Sequence, residues 1–331
     1  MATPRILSEP PADVVDARTG APRLGSFRGG LPRVDWSAAA GPLTRLRLHK
    51  RWVYVALATD DVYVGLAVLR MGYAASAFVY AYDASARRLL ARRSWVARAS
   101  ASDVGDRGGV DCRASFRTGE TRIDVAPLKQ VRIATPGLEL EAELDAASAP
   151  PSIGAVAEVA PGRFDATEKR ALLGLRGTLR VEGRAISLDG GLGGYDFTSG
   201  LLPRRTRWRW AFALGRDAGG EPFALNAVEG FVGEAECAAW TRGELVPLAE
   251  GRFTFDRARP ESPWRVGSAD GAVDLTMTPG EVHAEKREML VARSRFVQPC
   301  GAWSGSIALP GRPPLVVGRA LGVTEDQDVT W

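Results

Sequence analysis

Residues 43–83 read LTRLRLHKRWVYVALATDDVYVGLAVLRMGYAASAFVYAYD. Apolar, β-branched and aromatic residues alternate on both sides of the Asp60-Asp61 turn, which is the pattern of strands joined into meander hairpins. Outward from this run, ARRLLARRSWVARA, ASFRTGETRIDVAP, KQVRIATPG and LELEAELDA continue as short strands. Turn signals recur between them at roughly 8 to 12 residues, the spacing of a β sandwich or barrel. The C-terminal half adds strands near 206–215, 222–229, 236–240, 244–255, 264–267, 271–277, 281–287, 289–297, 302–308 and 314–322.

Asp165 to Leu173 is the best local helix candidate. It runs into LRGTLRVEGRAISLDGG, whose alternation about Glu182-Gly183 argues for a hairpin, so at most one short helix is expected there. Residues 1–35 are rich in Pro, Gly, Ala and Arg without periodicity and read as an extended arm. The proline-punctuated stretch Ala146 to Gly162 reads as a domain boundary. The chain also echoes itself. RWVYVALATDDVYVGLAV from Arg51 matches RWRWAFALGRDAGGEPFALNAV from Arg207 in its Arg-Trp-x-aromatic opening, its turn and its final Ala-Val, and YDASARRLLARRSW from Tyr82 lines up with AWTRGELVPLAEGRF from Ala239 at nearly the same offset. A duplicated β unit follows. The expected architecture is all-β: an N-terminal arm (1–35) crossing between two tandem antiparallel barrels, at 36–165 and 166–331.

At 331 residues with 45% hydrophobic residues, the chain has ample core material for two such units. It has no apolar run long enough to cross a bilayer and no apolar segment typical of a secretory signal, so a cytoplasmic protein without an integral membrane segment is expected. Cys112, Cys237 and Cys300 are far apart and odd in number, which argues for reduced, buried thiols. The net charge is +4 and basic residues are interspersed with acids, which disfavours nucleic-acid binding.

Site chemistry concentrates in Gly190 to Trp210, GGLGGYDFTSGLLPRRTRWRW. Glycines permit an irregular backbone, Pro203 stiffens the turn, and from Thr206 alternation puts Arg207 and Arg209 on one face and Trp208 and Trp210 on the other. Asp196 beside Tyr195 and Phe197 is the candidate acid, since desolvation would raise its pKa toward neutrality. It equally suits a loop carboxylate that caps backbone or pairs with arginine. Arg204, Arg205 and Arg207 form a candidate fork for a carboxylate or phosphate, or else a solvated strand edge. Asn226 is preferred over Glu229 as an inward polar group, because three positions of separation put them on opposite faces. Trp208, Trp210, Trp240 and Trp303, with Phe212 and Phe231, suit an apolar lining or a filled core. His283 between Glu281 and Glu285 is a weak metal pattern, and His49 reads as structural. No nucleophile elbow, phosphate loop, dinucleotide fingerprint, HExxH or CxxC motif occurs, so no cofactor and no metal are expected.

The chain resembles the family known as domain of unknown function 2804. The resemblance is carried by ILSEPPADVVDARTGAPRLG, MGYAASAFVYAYD, ATEKRALLGLRGTLRVEG, YDFTSGLLPRRTRWRWAFALG, GEAECAAW, PWRVGSADGAVDLTMTPG, ARSRFVQPCGAWSGSI and GVTEDQDVTW. More remotely it is similar to a tandem-lipocalin group that includes carotenoid hydratases, tocopherol cyclases and fungal Diels–Alderases. That likeness implies two lipocalin-like barrels with a ligand cleft and carries no reaction of its own. It also marks Glu236 and Glu325 as acid candidates, and it implies Asn and His where this chain has Cys237 and Gln327. The expected function is binding of a hydrophobic small molecule, a lipid or isoprenoid with an acidic or polar head, by a monomer or weak dimer. Tyr195, Arg204, Arg205, Trp208, Trp210, Asn226, Glu236 and Trp303 would contact it. The alternatives are a cofactor-independent cyclase, isomerase or hydratase, in which Asp196 protonates the ligand while Trp208 and Trp210 stabilise the cation, and a structural protein with filled barrels.

Overall fold

A computed structural model describes residues 5–288 and 293–331. The run that opens the sequence forms three adjacent antiparallel strands, His49–Ala58, Val62–Met71 and Ala74–Asp83. They sit in a first sheet of 14 strands, whose main path runs from Arg88–Arg98 at one edge to Ser102–Val104 at the other. Right-handed twist curls the sheet until these ends approach. Ser102 Oγ donates to the Leu69 carbonyl at 3.2 Å, and Arg70 Nη1 donates to the Ser102 carbonyl at 2.7 Å. The second sheet has nine strands and curls in the same way, with Phe253 N donating to Glu229 Oε2 at 3.2 Å. The fold is thus two tandem lipocalin-like antiparallel barrels with an extended N-terminal arm.

Burial explains which strands alternate. Leu138–Asp145 buries Leu138, Leu140, Ala142 and Leu144 and exposes the acids between them, because only one of its faces meets the core. His49–Ala58 is apolar almost throughout because both faces are covered. Val53, Val55 and Leu57 fill the first barrel, whereas Tyr54, Ala56 and Ala58 pack toward the second sheet. The two sheets share that second core, so they form one body.

The helix expected at 165–173 is corrected. Residues 165–173 are not helical but belong to the 19-residue strand Arg163–Val181, bent where its register with Gly191–Leu201 shifts and Leu172 takes φ 61°. Among the described residues the only α-helix is Pro42–Leu48. Within the stretch 146–162, Ile153–Ala160 is a strand that pairs with Gly25–Arg28 of the arm and with Arg163–Val181. Arg163–Val181 runs through 165/166, and the chain passes from the first sheet after Leu201 to the second at Arg205. Several short strands of the C-terminal half also merge into longer ones, Val273–Glu288, Arg293–Ile307 and Leu315–Thr330. Residues 289–292, part of the strand expected at 289–297, lie outside the described residues.

The arm is fixed to both sheets. Directly after it, Trp36 is 1% exposed, stacks on Phe164 at 6.5 Å and donates its indole N–H to the Ser199 carbonyl at 3.2 Å. Leu31 N donates to Glu168 Oε2 at 3.1 Å, Ser26 Oγ donates to the Ala235 carbonyl at 2.7 Å, and the Arg5 guanidinium reaches the carbonyls of Glu234 and Cys237. All three cysteines are buried and free. Among the described residues no helix is long and apolar enough to cross a membrane.

Candidate functional site

A cavity of about 600 Å³ opens between the two sheets, within the range of small-molecule sites. Each sheet supplies one wall. Trp52, Tyr54 and Phe78 come from the first; Trp208, Trp210 and Phe296 from the second. The echo seen in the sequence acquires a physical meaning here, because its two tryptophans, Trp52 and Trp208, stack face to face at 6.0 Å and 12°. Phe231 packs on both, and Tyr54 meets Trp210 edge-on at 5.1 Å.

The polar lining is built from neighbouring strands. Thr167 and Lys169 point to one face of Arg163–Val181, where the register sets them opposite Thr198 and Asp196. Lys169 Nζ lies 2.5 Å from Asp196 Oδ1, donates to Thr167 Oγ1 at 2.8 Å and lies 3.1 Å from Glu236 Oε2, out of hydrogen-bonding alignment. Burial alone would lower the Lys169 pKa, but the Asp196 and Glu236 carboxylates more than offset it, and it stands above its ordinary value. Burial raises Glu236 despite the ammonium beside it. Asp196 also accepts from Thr198 Oγ1 at 3.2 Å and from the Trp52 indole at 3.4 Å.

A second acid faces the same space. Glu325 is 6% exposed, and its two oxygens accept from the Trp208 indole and from Gln298 Nε2, both at 2.7 Å. Burial pushes its pKa up to about 7, although both donors favour the carboxylate. Gln298 in turn accepts from the Tyr80 hydroxyl at 2.7 Å. Each wall therefore carries one tryptophan whose N–H holds one carboxyl group: Trp52 with Asp196, and Trp208 with Glu325.

Of the residues expected from sequence, Asp196, Trp208, Trp210, Phe231, Glu236 and Glu325 line the cavity. Tyr195 does not. It points into the first barrel, where its hydroxyl donates to Glu168 Oε1 at 2.5 Å, because neighbours of Asp196 on a strand face the other way. Arg205 is bound by Asp328 through two bonds of 3.0 and 2.9 Å, and Arg207 Nε donates to the same carboxylate at 2.8 Å, both on the exposed face. Arg204 also stays out of the lining, near enough to Tyr73 at the mouth for its charge to oppose the rise that burial gives the phenol pKa. Asn226 acts one layer back, accepting from the Trp210 indole at 2.7 Å and donating to the Glu236 carbonyl at 2.8 Å. Trp303 is in the core of the second barrel, away from the cavity. His283 is fully buried between Phe78, Tyr80 and Phe296 and contacts Glu285 at 3.1 Å, and no metal-binding group occurs among the described residues. Sequence reasoning missed Lys169, Trp52 and Gln298. Only Trp52 left a usable signal, as the counterpart of Trp208 in the echo.

Comparison with curated proteins gave no match. Among solved structures, CghA is similar over 96% of this chain and 96% of its own, at 14% identity and a TM-score of 0.56. It has also been solved with Sch210972. A putative AttH from Nitrosomonas europaea matches with 15% identity and a TM-score of 0.49, covering 84% of this chain and 92% of that one. Kievitone hydratase from Nectria haematococca matches with 14% identity and a TM-score of 0.47, covering 93% of this chain and 97% of that one. The likeness to CghA concerns the fold. The family model described as Domain of unknown function (DUF2804) matches residues 8–331, and the chain belongs to that family.

Proposed function

We propose that the protein binds a hydrophobic small molecule in the cavity between its sheets. The observation that carries this reading is a space of about 600 Å³ with aromatic walls and buried carboxyl groups facing it. A core would fill such a space, and a few polar groups in an apolar pocket are the usual means of orienting a ligand. CghA, of the same fold, has been solved with Sch210972, which supports a reading as a binding protein. Native mass spectrometry of freshly purified protein should show a retained ligand. A lipid and terpenoid panel should quench tryptophan emission, since Trp52, Trp208 and Trp210 line the space. No retained mass and no quenching across the panel would favour filled barrels with a structural role.

One observation favours catalysis as a second reading. Glu325 is a buried carboxyl with a pKa of about 7, the value suited to a general acid at neutral pH. Asp196, expected to be that acid, is instead bonded to Lys169, Thr198 and Trp52. In this reading Glu325 gives its proton to an alkene carbon, water adds to the cation and returns a proton to Glu325, and the net change is hydration. The ring faces of Trp208 and Trp210 would stabilise the cation. Glu325→Gln keeps size and polarity but removes the transferable proton. It should abolish turnover while ligand affinity changes less than about tenfold; full turnover in this variant would exclude the role.

A further inference from the structure

We propose that the cavity selects a hydrophobic molecule whose polar end is a neutral hydroxyl, and that it rejects the carboxylate of the same skeleton. This rests on reading the cavity as a ligand site, and it narrows the head group, which the sequence left open between acidic and other polar ends.

The first argument is electrostatic. Lys169, the buried cation among the described lining residues, is already engaged: its ammonium faces Asp196, Glu236 and Thr167. The other lining cations, Lys286 and Arg293, are exposed, and Glu288 lies 3.3 and 4.0 Å from them. The arginines that might have formed an anion fork, Arg205 and Arg207, are bound to Asp328 outside the cavity. An incoming carboxylate would lose its water and meet Glu236 and Glu325, while Lys169, the buried ammonium beside them, is already held by Asp196. Burying an unpaired charge is the costliest polar event available to a ligand.

The second argument is an unpartnered group. Gln327 is 6% exposed and lines the cavity; its Nε2 donates to Ser294 Oγ at 3.2 Å, but its Oε1 has no donor among the described residues. A buried carbonyl oxygen left without a donor is unfavourable, and a ligand hydroxyl would supply one. Glu325 lies two residues away on the same face of the strand, and both its oxygens already accept N–H bonds. When it is protonated, its O–H still requires an acceptor. A hydroxyl meets both needs, because it donates one bond and accepts others. When Glu325 is ionised it keeps its two N–H donors, and the single proton of the hydroxyl is free for Gln327. A carboxylate offers Gln327 nothing.

Dodecan-1-ol and dodecanoate have the same chain and differ only at the head, so titration of the full-length protein at pH 8, followed by tryptophan emission and calorimetry, tests the proposal. The alcohol should bind at least about tenfold more tightly than the acid, a difference of about 1.4 kcal/mol. Gln327→Met keeps length and loses the acceptor. It should reduce that preference to less than about threefold by weakening alcohol binding. Gln327→Glu keeps an acceptor and adds charge, so it should retain the alcohol and exclude the acid further, which keeps the test open if the methionine variant fails to fold. Tighter binding of dodecanoate by the wild type would overturn the head-group assignment while leaving the ligand site intact. Failure of both probes to bind would count against the cavity reading itself, and the proposal would fall with it. A folded Gln327→Met with the full preference would remove Gln327 from the account.

Discussion

Lys169 shows how much of the site can be hidden by a single residue. It is one of four lysines in the chain and lies in a stretch whose sequence suggested a helix. The reason is physical: Asp165, Thr167 and Lys169 are all buried on one strand face, so the apolar alternation that marks a strand is absent there. Asp196 was legible as an acid set among glycines and aromatics, although Gly191–Leu201 is a strand and not the irregular loop expected, and Glu236 because of the family pattern. Tyr195 was misread for want of a strand argument, since adjacent residues cannot both face the cavity. Glu325 makes a prediction at this scale that does not depend on any substrate. Its pKa of about 7 in the folded protein lies above the ordinary 4.5, so the folded state holds its proton at pH values where the unfolded chain has released it. The stabilisation linked to that proton is full below about pH 4.5 and is lost as pH rises through 7. Urea unfolding of wild type and Glu325→Gln between pH 4.5 and 8 should show the wild type losing on the order of 3 kcal/mol relative to the variant as pH rises. Parallel pH profiles would show that Glu325 does not titrate in this range.

At the scale of elements, the duplicated hairpin was legible because its Arg-Trp-x-aromatic opening survives in both copies, whereas the contact between the copies was not. Strands carry their own periodicity, but the register between sheets depends on partners far apart in sequence. Trp52 and Trp208 stack across the sheets, and each also holds a carboxyl group of its own wall. The stack therefore links the two acids mechanically as well as closing the cavity. A double-mutant cycle with Trp52→Leu, Trp208→Leu and both together should give a coupling of about 0.5–1.5 kcal/mol in unfolding free energy, the range of aromatic pairs beyond their buried area. Additive losses would mean that each tryptophan packs only within its own sheet. The cationic fork expected at Arg204 and Arg205 was illegible for the same reason. Asp328, the group that binds Arg205, lies on the neighbouring strand, and only the pairing of Arg207 with Asp328 brings it there.

On the scale of the whole molecule, the arm decides whether the protein is two barrels joined by a strand or one cooperative body. Composition alone identified it as extended, but its low periodicity concealed how deeply it is bound. Trp36, the residue that joins the arm to the first barrel, is among the largest fully buried side chains. It stacks on Phe164 and donates to the Ser199 carbonyl, so it touches the two strands that carry Lys169 and Asp196. Further along the arm, Ser26 and Arg5 hold the 233–237 turn from which Glu236 enters the cavity. Trp36→Ala should therefore cost about 3–5 kcal/mol, the usual loss for a buried tryptophan. If the arm is integral, unfolding should remain a single transition by tryptophan emission and far-UV circular dichroism, with the midpoint lowered for both probes. Amide exchange should then accelerate not only in Gly25–Arg28 but also in Arg163–Val181 and Gly191–Leu201, the strands beneath it. Ligand affinity should fall as well, because Asp196 and Glu236 would lose the support that fixes them opposite Lys169. Exchange that accelerates in the arm alone, with an unchanged midpoint, would show that the barrels stand without it and that the arm serves another purpose.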